Sequence, residues 1–424
     1  MAKFLILFFT TLITLIVWNA SIFLAASEGW FKSPIVGKAS ATSFLDAVER
    51  TVAQTHIGNF AMILIEENEV AASYFMSSGA PVDKSSVFQV ASLGKWLTSW
   101  GVMVLVEDGQ ISLDLPVSNY LKRWQLPPSE FDNSAITVRN LLSHTAGLDD
   151  GLGYDGFDKP EDVQTLEASL TRALDASSGN TGIVKLGGEP GSGWSYSGGG
   201  YTLLQLLIED VSGMPFNDFM TTRIFEPLGM EQTTFDHKMA IENGLAENYD
   251  LAGQTEPFRW YTALAATSLF TSAEDLSTFI TAQMEEDGQS VLSDDALQLM
   301  RTPHASQMGA DIWGLGLMLY APNNEAGYII GHDGNNGPAI NTVARFDPAN
   351  GNGIVILSTG SDSLATRMAG EWVFWKTGNI DSLMFIMAVE RMLLWMAIGT
   401  GPILIGGLIL GWRSRNARAG CARA

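Results

Sequence analysis

The hydrophobic pattern divides the chain before any single residue is considered. Phe4 to Ala26 is almost wholly apolar, broken only by hydroxyls and Asn19, with Lys3 in front. Met392 to Trp412 carries no charge, and Arg413, Arg415, Arg418 and Arg423 follow it. Each run is long enough to cross a bilayer as a helix. The first also fits a secretory signal, with small residues at Ala25-Ala26-Ser27, so a cleaved signal and a retained anchor both stay open. Basic residues collect on the cytoplasmic side, which puts Lys3 and the arginine cluster inside and the intervening segment outside the cell.

Between the apolar ends the periodicity changes repeatedly. Leu45, Val48 and Val52 fall on one helical face, with Gly58 as a stop. Phe60–Glu66 and Glu69–Phe75 read as two strands around Glu67-Asn68. Ser92–Asp108 is apolar nearly all round, as a helix enclosed by protein must be. Residues 110–305 mix helical patterns with loops rich in glycine and proline. Strand signals return at Leu315–Tyr320, Tyr328–Gly331, Ala339–Phe346 and Gly353–Ser358, and a helix is predicted over Ser363–Trp375. Strands at both ends with helices between them predict an α/β (α+β) fold. Its antiparallel sheet is built from N- and C-terminal pieces, flanked by helices, with a mainly helical insertion. The boundaries expected are 1–26 for the signal or anchor, 27–42 for a linker, and 43–376 for the exported domain. A juxtamembrane linker (377–391), the second membrane helix (392–412) and a basic tail (413–424) complete the chain.

Composition narrows the function. Of 424 residues 46% are hydrophobic and 17% charged, which excludes a disordered chain. The single cysteine, Cys421, excludes an intrachain disulfide, a thiolate zinc site and, at the very end of the chain, a catalytic thiol. The net charge of −22 argues against a nucleic-acid partner. Setting aside Lys3, Arg391, Arg413, Arg415, Arg418 and Arg423 leaves 18 basic residues against 46 acidic ones, so the exported part is more acidic still. Scattered histidines and the lack of H-E-x-x-H give no support for a metal, and the chemistry below needs no cofactor.

Three short segments carry candidate chemistry. Ser92-Leu93-Gly94-Lys95 opens the most apolar helix, and positions i and i+3 share a helix face. A serine hydroxyl needs a nearby base, and a buried lysine can serve because desolvation disfavours its ammonium form. A helix N-terminus adds N–H groups for an oxyanion. In the glycine-rich loop from Gly191 to Tyr201, Tyr196 stands before an apolar helical run, where a phenol beside an ammonium would ionise more easily and exchange protons. Gly331-His332-Asp333-Gly334-Asn335 follows a strand signal; a glycine there allows close approach of substrate, and the Asn335 N–H supplies a second oxyanion donor.

Together these segments resemble the serine β-lactamase and penicillin-recognising superfamily, in particular its class C β-lactamase-like branch of esterases and D-peptidases. The likeness extends over residues 45 to 375 and includes Leu141-Leu142-Ser143-His144-Thr145-Ala146-Gly147-Leu148, Phe225-Glu226-Pro227-Leu228-Gly229-Met230 and Thr271-Ser272-Ala273-Glu274-Asp275-Leu276. The resemblance implies Ser92 as acylated nucleophile, Lys95 as base or shuttle, and Tyr196 as the group handling the leaving-group and water protons. It implies His332 in the place of the K-T-G lysine, and the N–H groups of Ser92 and Asn335 as the oxyanion hole. Gly198 and Gly334 fall at substrate-binding positions.

Two departures bear on specificity. The Tyr-x-Asn triplet of the superfamily reads Tyr196-Ser197-Gly198, and a histidine replaces a fixed cation. Both disfavour β-lactams and suit an esterase, amidase or peptidase with a small ester, amide or peptide as substrate. A true class C-like β-lactamase or D,D-peptidase is the alternative within enzymes. A non-catalytic sensor or scaffold for cell-wall fragments is the alternative outside them; no protein partner is identifiable. Lys376-Thr377-Gly378 spells the third superfamily motif, but no strand follows it, so a helix terminus is predicted there. Gly151-Leu152-Gly153-Tyr154-Asp155-Gly156 reads as a loop and not as a dinucleotide fingerprint.

Overall fold

The computed structural model describes residues 2–30, 32–37, 40–151, 153–284 and 289–421, with no side-chain description for residues 2, 3 and 414–421. Parts of the 27–42 linker, Leu152 of the glycine-rich decoy, and Arg423 of the basic tail lie outside the described residues. The chain divides into two compact units, residues 35–377 and residues 1–34 with 378–424.

The larger unit is organised on an eight-stranded antiparallel sheet. Its strands in chain order are β1 (Phe60–Glu66), β2 (Glu69–Met76), β3 (Ala305–Gln307), β4 (Ala310–Trp313), β5 (Met318–Pro322), β6 (Tyr328–Asn336), β7 (Ile340–Asp347) and β8 (Asn352–Thr359). They lie in the order β2-β1-β8-β7-β6-β5-β4-β3. The N-terminal hairpin joins the C-terminal strands through β1 and β8, with Phe60 opposite Ser358 and Ile65 opposite Gly353. The turn at Glu67 and Asn68 has positive φ at both residues (52° and 65°), the backbone that a tight two-residue hairpin requires.

The helix Ala41–Thr55 starts at Ser40, whose hydroxyl accepts from the Ser43 N–H. It shares a sheet face with Leu364–Thr377, and Phe44 stacks on Trp375 at 4.9 Å between ring centroids. Gly94–Glu107 and Ala273–Thr281 cover the other face. Every residue from Gly94 to Leu105 is buried, so this helix has no solvent side. Trp96 meets Phe279 at 4.7 Å and Phe346 at 5.8 Å, which locks it between the sheet and the neighbouring helix.

Expectation and structure differ at four places. The buried helix begins at Gly94, leaving Ser92 on the turn before it. Strand β6 runs on to Asn336, five residues past the apolar signal. Strands β3 and β4 have no alternating pattern strong enough to announce them; they form an edge hairpin turned at Met308 and Gly309. Strand β5 starts at Met318, three residues after the Leu315 start of its apolar signal. Lys376-Thr377-Gly378 is a helix terminus as predicted, with Gly378 at φ 74° and Lys376 paired with Glu66 at 2.5 Å.

The smaller unit contains the helices Ala2–Ser27 and Ser382–Cys421. Within them Phe4–Ser27 (24 residues) and Ser382–Arg413 (32 residues) are long and apolar enough to cross a membrane. They run antiparallel: Phe23 meets Phe385 at 5.9 Å, the Trp18 indole donates to the Met396 carbonyl at 3.3 Å, and Asn19 donates to Thr400 at 3.2 Å.

Candidate active site

Ser92 stands at the junction of three buried segments. Its predecessor Ala91 has φ 51°, a left-handed conformation that a side chain resists. No sequence signal marks this, because alanine is not a residue that favours it. The strain persists because the flanking backbone is tied: the Val90 N–H donates to Leu269 O at 2.9 Å, and the Val90 carbonyl accepts from the Thr342 hydroxyl at 2.8 Å. Thr342 on β7 thereby draws the sheet against the nucleophile segment.

Lys95 is 2% exposed and its Nζ donates to Ser92 Oγ at 3.1 Å and to the Ala266 carbonyl at 2.5 Å. The amine also lies over the rings of Tyr196 and Tyr201, at 5.0 and 5.6 Å from their centroids. Burial drives its pKa down to about 7, with the Asp150 carboxylate opposing the shift. Near neutrality a large share of the lysine is therefore an unprotonated base in contact with the serine.

The Tyr196 phenol neighbours the Ser92 side chain. Burial raises the pKa of that phenol well above its ordinary value, and the polarity of Ser92 opposes the rise. This corrects the expectation that the neighbouring ammonium would ease its ionisation; desolvation dominates, and Tyr196 rests as a neutral phenol. Ser197 caps the helix Gly198–Ser212 by accepting from the Gly200 N–H at 2.8 Å, so Tyr196 is fixed two residues before a helix start. Gly198 is the buried first residue of that helix.

His332 lies on β6, buried, and its Nδ1 donates to the Asp333 carbonyl at 2.6 Å. Burial, with the charge of Lys95, lowers its pKa to about 4. The ring is thus neutral and supplies no cation. Asp333 faces the opposite side of the sheet, where it holds the fully buried Arg345 at 3.0 and 2.7 Å and accepts from Tyr320 and Thr366. The amide side chain of Asn335 donates to the Asp362 carbonyl at 2.5 Å. The space a Cβ on Gly334 would need is already filled by the Val90 carbonyl oxygen. At Gly334 the backbone thus closely approaches the nucleophile segment.

The structure brings Ser92, Lys95 and Tyr196 together and sets His332 within the electrostatic reach of Lys95. Sequence reasoning passed over four contributors. The Ala266 carbonyl orients the lysine, and Thr342 ties the sheet to Val90. Asn336 donates to Tyr261 at 2.9 Å and Thr267 at 3.0 Å. Asp150 accepts from the Ser197 hydroxyl at 2.5 Å and the Gly199 N–H at 2.6 Å. Backbone carbonyls leave no sequence signal, and Asp150 is one acidic residue among many in an acidic chain. Among the described residues no cluster of histidine, cysteine, aspartate and glutamate is arranged to hold a metal.

A hydroxyl, a buried lysine and a phenol in this order on this fold define a family. The Beta-lactamase family model matches residues 44–373, and the chain belongs to that family. It is 31% identical over 194 residues to penicillin-binding protein 4* of Bacillus subtilis (strain 168), covering 45% of this chain and 40% of that protein. It is 28% identical over 307 residues to penicillin-binding protein 4 of Amycolatopsis lactamdurans, covering 67% of this chain and 74% of the relative. The octameric penicillin-binding protein homologue from Pyrococcus abyssi shares the fold, with a TM-score of 0.68 at 24% identity over 81% of this chain and 78% of that one. The match thus spans only about two fifths of the length of the Bacillus relative.

Proposed function

We propose that the protein is a membrane-anchored serine hydrolase that works through an acyl-enzyme on Ser92. One observation carries this reading: a buried lysine with pKa about 7 donates at 3.1 Å to a serine and lies 5.0 Å from the ring centre of a neutral phenol. In its unprotonated form Lys95 takes the Ser92 proton as Oγ bonds to the substrate carbonyl carbon. The resulting oxyanion is met by the N–H groups of Ser92 and Asn335. The proton passes from Lys95 by way of the Tyr196 phenol to the leaving alcohol or amine as the bond to it breaks. Water then attacks acyl-Ser92, its proton following the reverse route, and the free acid leaves.

The neutral His332 and the helix-buried Gly198 favour substrates without a carboxylate at the place where relatives with K-T-G hold a lysine. Simple esters and neutral amides fit this site better than β-lactams or peptides ending in D-alanine. The antiparallel contacts of Trp18 and Asn19 with the second helix support retention of the N-terminal segment as an anchor. Lys3 and the C-terminal arginines favour an extracytoplasmic position for residues 43–376.

The test is a fluorophosphonate probe together with p-nitrophenyl butyrate, applied to the detergent-solubilised protein. Labelling and turnover are expected in the wild type and absent in Ser92→Ala. Equal labelling of both proteins, or binding of cell-wall fragments without any turnover, would replace this reading with that of a sensor.

A further inference from the structure

We propose that His144 is a positioning residue that sets the Tyr196 phenol against Ser92. The inference rests on the hydrolase reading above and assigns a role that the Ser-Lys-Tyr chemistry does not itself require.

The geometry is a clamp on both neighbours of the tyrosine. The carbonyl of His144 accepts from the Ser195 N–H at 2.8 Å, and its ring Nδ1 accepts from the Ser197 N–H at 3.1 Å. The imidazole and phenol rings lie 4.3 Å apart at 32°. On its other side the imidazole meets the edge of Trp313 at 4.8 Å, so it cannot swing away. His144 is 2% exposed, and its φ of 57° belongs to the left-handed region, where histidine is tolerated and branched residues are not.

The clamp needs a neutral ring with a free lone pair on Nδ1. Burial, reinforced by the charge of Lys95, holds the imidazole well below its ordinary pKa, which keeps it neutral. With Nδ1 accepting, the proton resides on Nε2, which is buried without a partner among the described residues. Such an orphan is a cost that packing alone would avoid by placing an apolar side chain here. The same short segment continues the grip: Thr145 O accepts from the Gly191 N–H at 2.7 Å, and Asp150 holds Ser197 and Gly199. Segment 144–150 thus fastens the glycine-rich loop along most of its length, and His144 is the member that brackets Tyr196.

Three substitutions in the full-length protein separate this role from space-filling. His144→Asn keeps an acceptor near the Nδ1 position and tolerates the positive φ. His144→Leu keeps bulk and loses the acceptor, while His144→Gly relieves the backbone and loses it too. With p-nitrophenyl butyrate, the asparagine variant is expected to stay within about threefold of wild-type kcat. The other two should lose about 100-fold in kcat with little change in KM, the cost of misplacing a reacting group. In a Tyr196→Phe background the same two changes should cost less than about threefold, since the group they position is gone. The assignment is overturned if leucine outperforms asparagine, or if the losses are equally large once Tyr196→Phe is in place. Turnover that does not depend on Ser92 would remove the hydrolase reading itself, whereas Ser92-dependent turnover indifferent to His144 removes only this inference.

Discussion

The Lys95 amine and the Ser92 hydroxyl lie 3.1 Å apart in a site where the lysine is almost completely shielded from water. Because burial sets the lysine pKa at about 7, the fraction of competent base rises with pH through neutrality. The rate of Ser92 acylation should therefore climb across about pH 6 to 8 and level off above. Lys95→Arg cannot lose its charge at these pH values and should lower acylation by about 1000-fold or more. Single-turnover labelling with a chromogenic ester at several pH values reads both effects; a flat profile would contradict the assignment of Lys95 as base.

On the proposed hydrolase reading, His332 bears on what the site can hold. With its Nδ1 bound to the Asp333 carbonyl and a pKa of about 4, it stays neutral from pH 5 to 8. The kcat/KM for p-nitrophenyl butyrate should exceed that for nitrocefin, which bears a carboxylate, by about 100-fold, the scale of one missing charge-assisted bond. The ratio should not change between pH 5.5 and 8. A ratio that collapses on acidification would show that His332 does gain a proton and bind the carboxylate.

Gly334 is a packing requirement. An added Cβ would overlap the Val90 carbonyl oxygen, so Gly334→Ala must push β6 away from the segment that carries Ser92. Overpacking of this kind costs about 1–3 kcal/mol, and it displaces Asn335 along with its strand. Thermal unfolding should show the loss of stability, and esterase assays a fall in kcat of at least about tenfold. Unchanged kcat with lowered stability would remove Asn335 from the oxyanion hole.

Asp150 gives the fold a pH dependence of unusual sign. Burial raises its pKa to about 6, against the bonds from Ser197 and Gly199 and the charge of Lys95, which pull it down. Between the unfolded value near 3.9 and about 6 the native protein holds the proton more tightly than the unfolded chain. This carboxylate's contribution to stability is thus fully present below about pH 3 and declines as pH rises through about 6, losing roughly 2 kcal/mol between pH 4 and 6. Asp150→Asn should remove that decline from urea unfolding curves measured between pH 4 and 6.

Much of this was legible in the sequence, and the gaps have physical causes. Phe60–Glu66, Ile340–Asp347 and Asn352–Thr359 match their apolar signals because both faces of the central sheet are covered, whereas the exposed edge strand Glu69–Met76 was legible through its tight turn. Ser92 and Lys95 were legible because a polar pair opens an otherwise apolar helix. The second half of β6 was not, since its polar residues are satisfied by partners remote in the chain: Asp333 by Arg345, and Asn336 by Tyr261. The state of Tyr196 was misjudged because an ammonium nearby is visible in a motif and the depth of burial is not. Asp150 acquires meaning only from the two donors it meets across the loop.

The smaller unit makes a prediction about processing. A Cβ on Gly399 would overlap the Trp18 indole, and one on Gly407 would fall 2.8 Å from Thr11 Oγ1, so small residues on one helix receive larger ones from the other. Such close approach, with the Asn19–Thr400 bond, is how helices associate where lipid removes the hydrophobic driving force. A segment destined for cleavage at Ala25–Ser27 has no use for a fitted partner. The intact mass of the detergent-extracted protein should therefore include residues 1–26. Thr11→Cys with Gly407→Cys, in a Cys421→Ser background, should form an intrachain disulfide on mild oxidation. A mature N-terminus at Ser27 or Glu28 would show the segment to be a signal. An intact chain that fails to cross-link would show the two helices to be separate anchors.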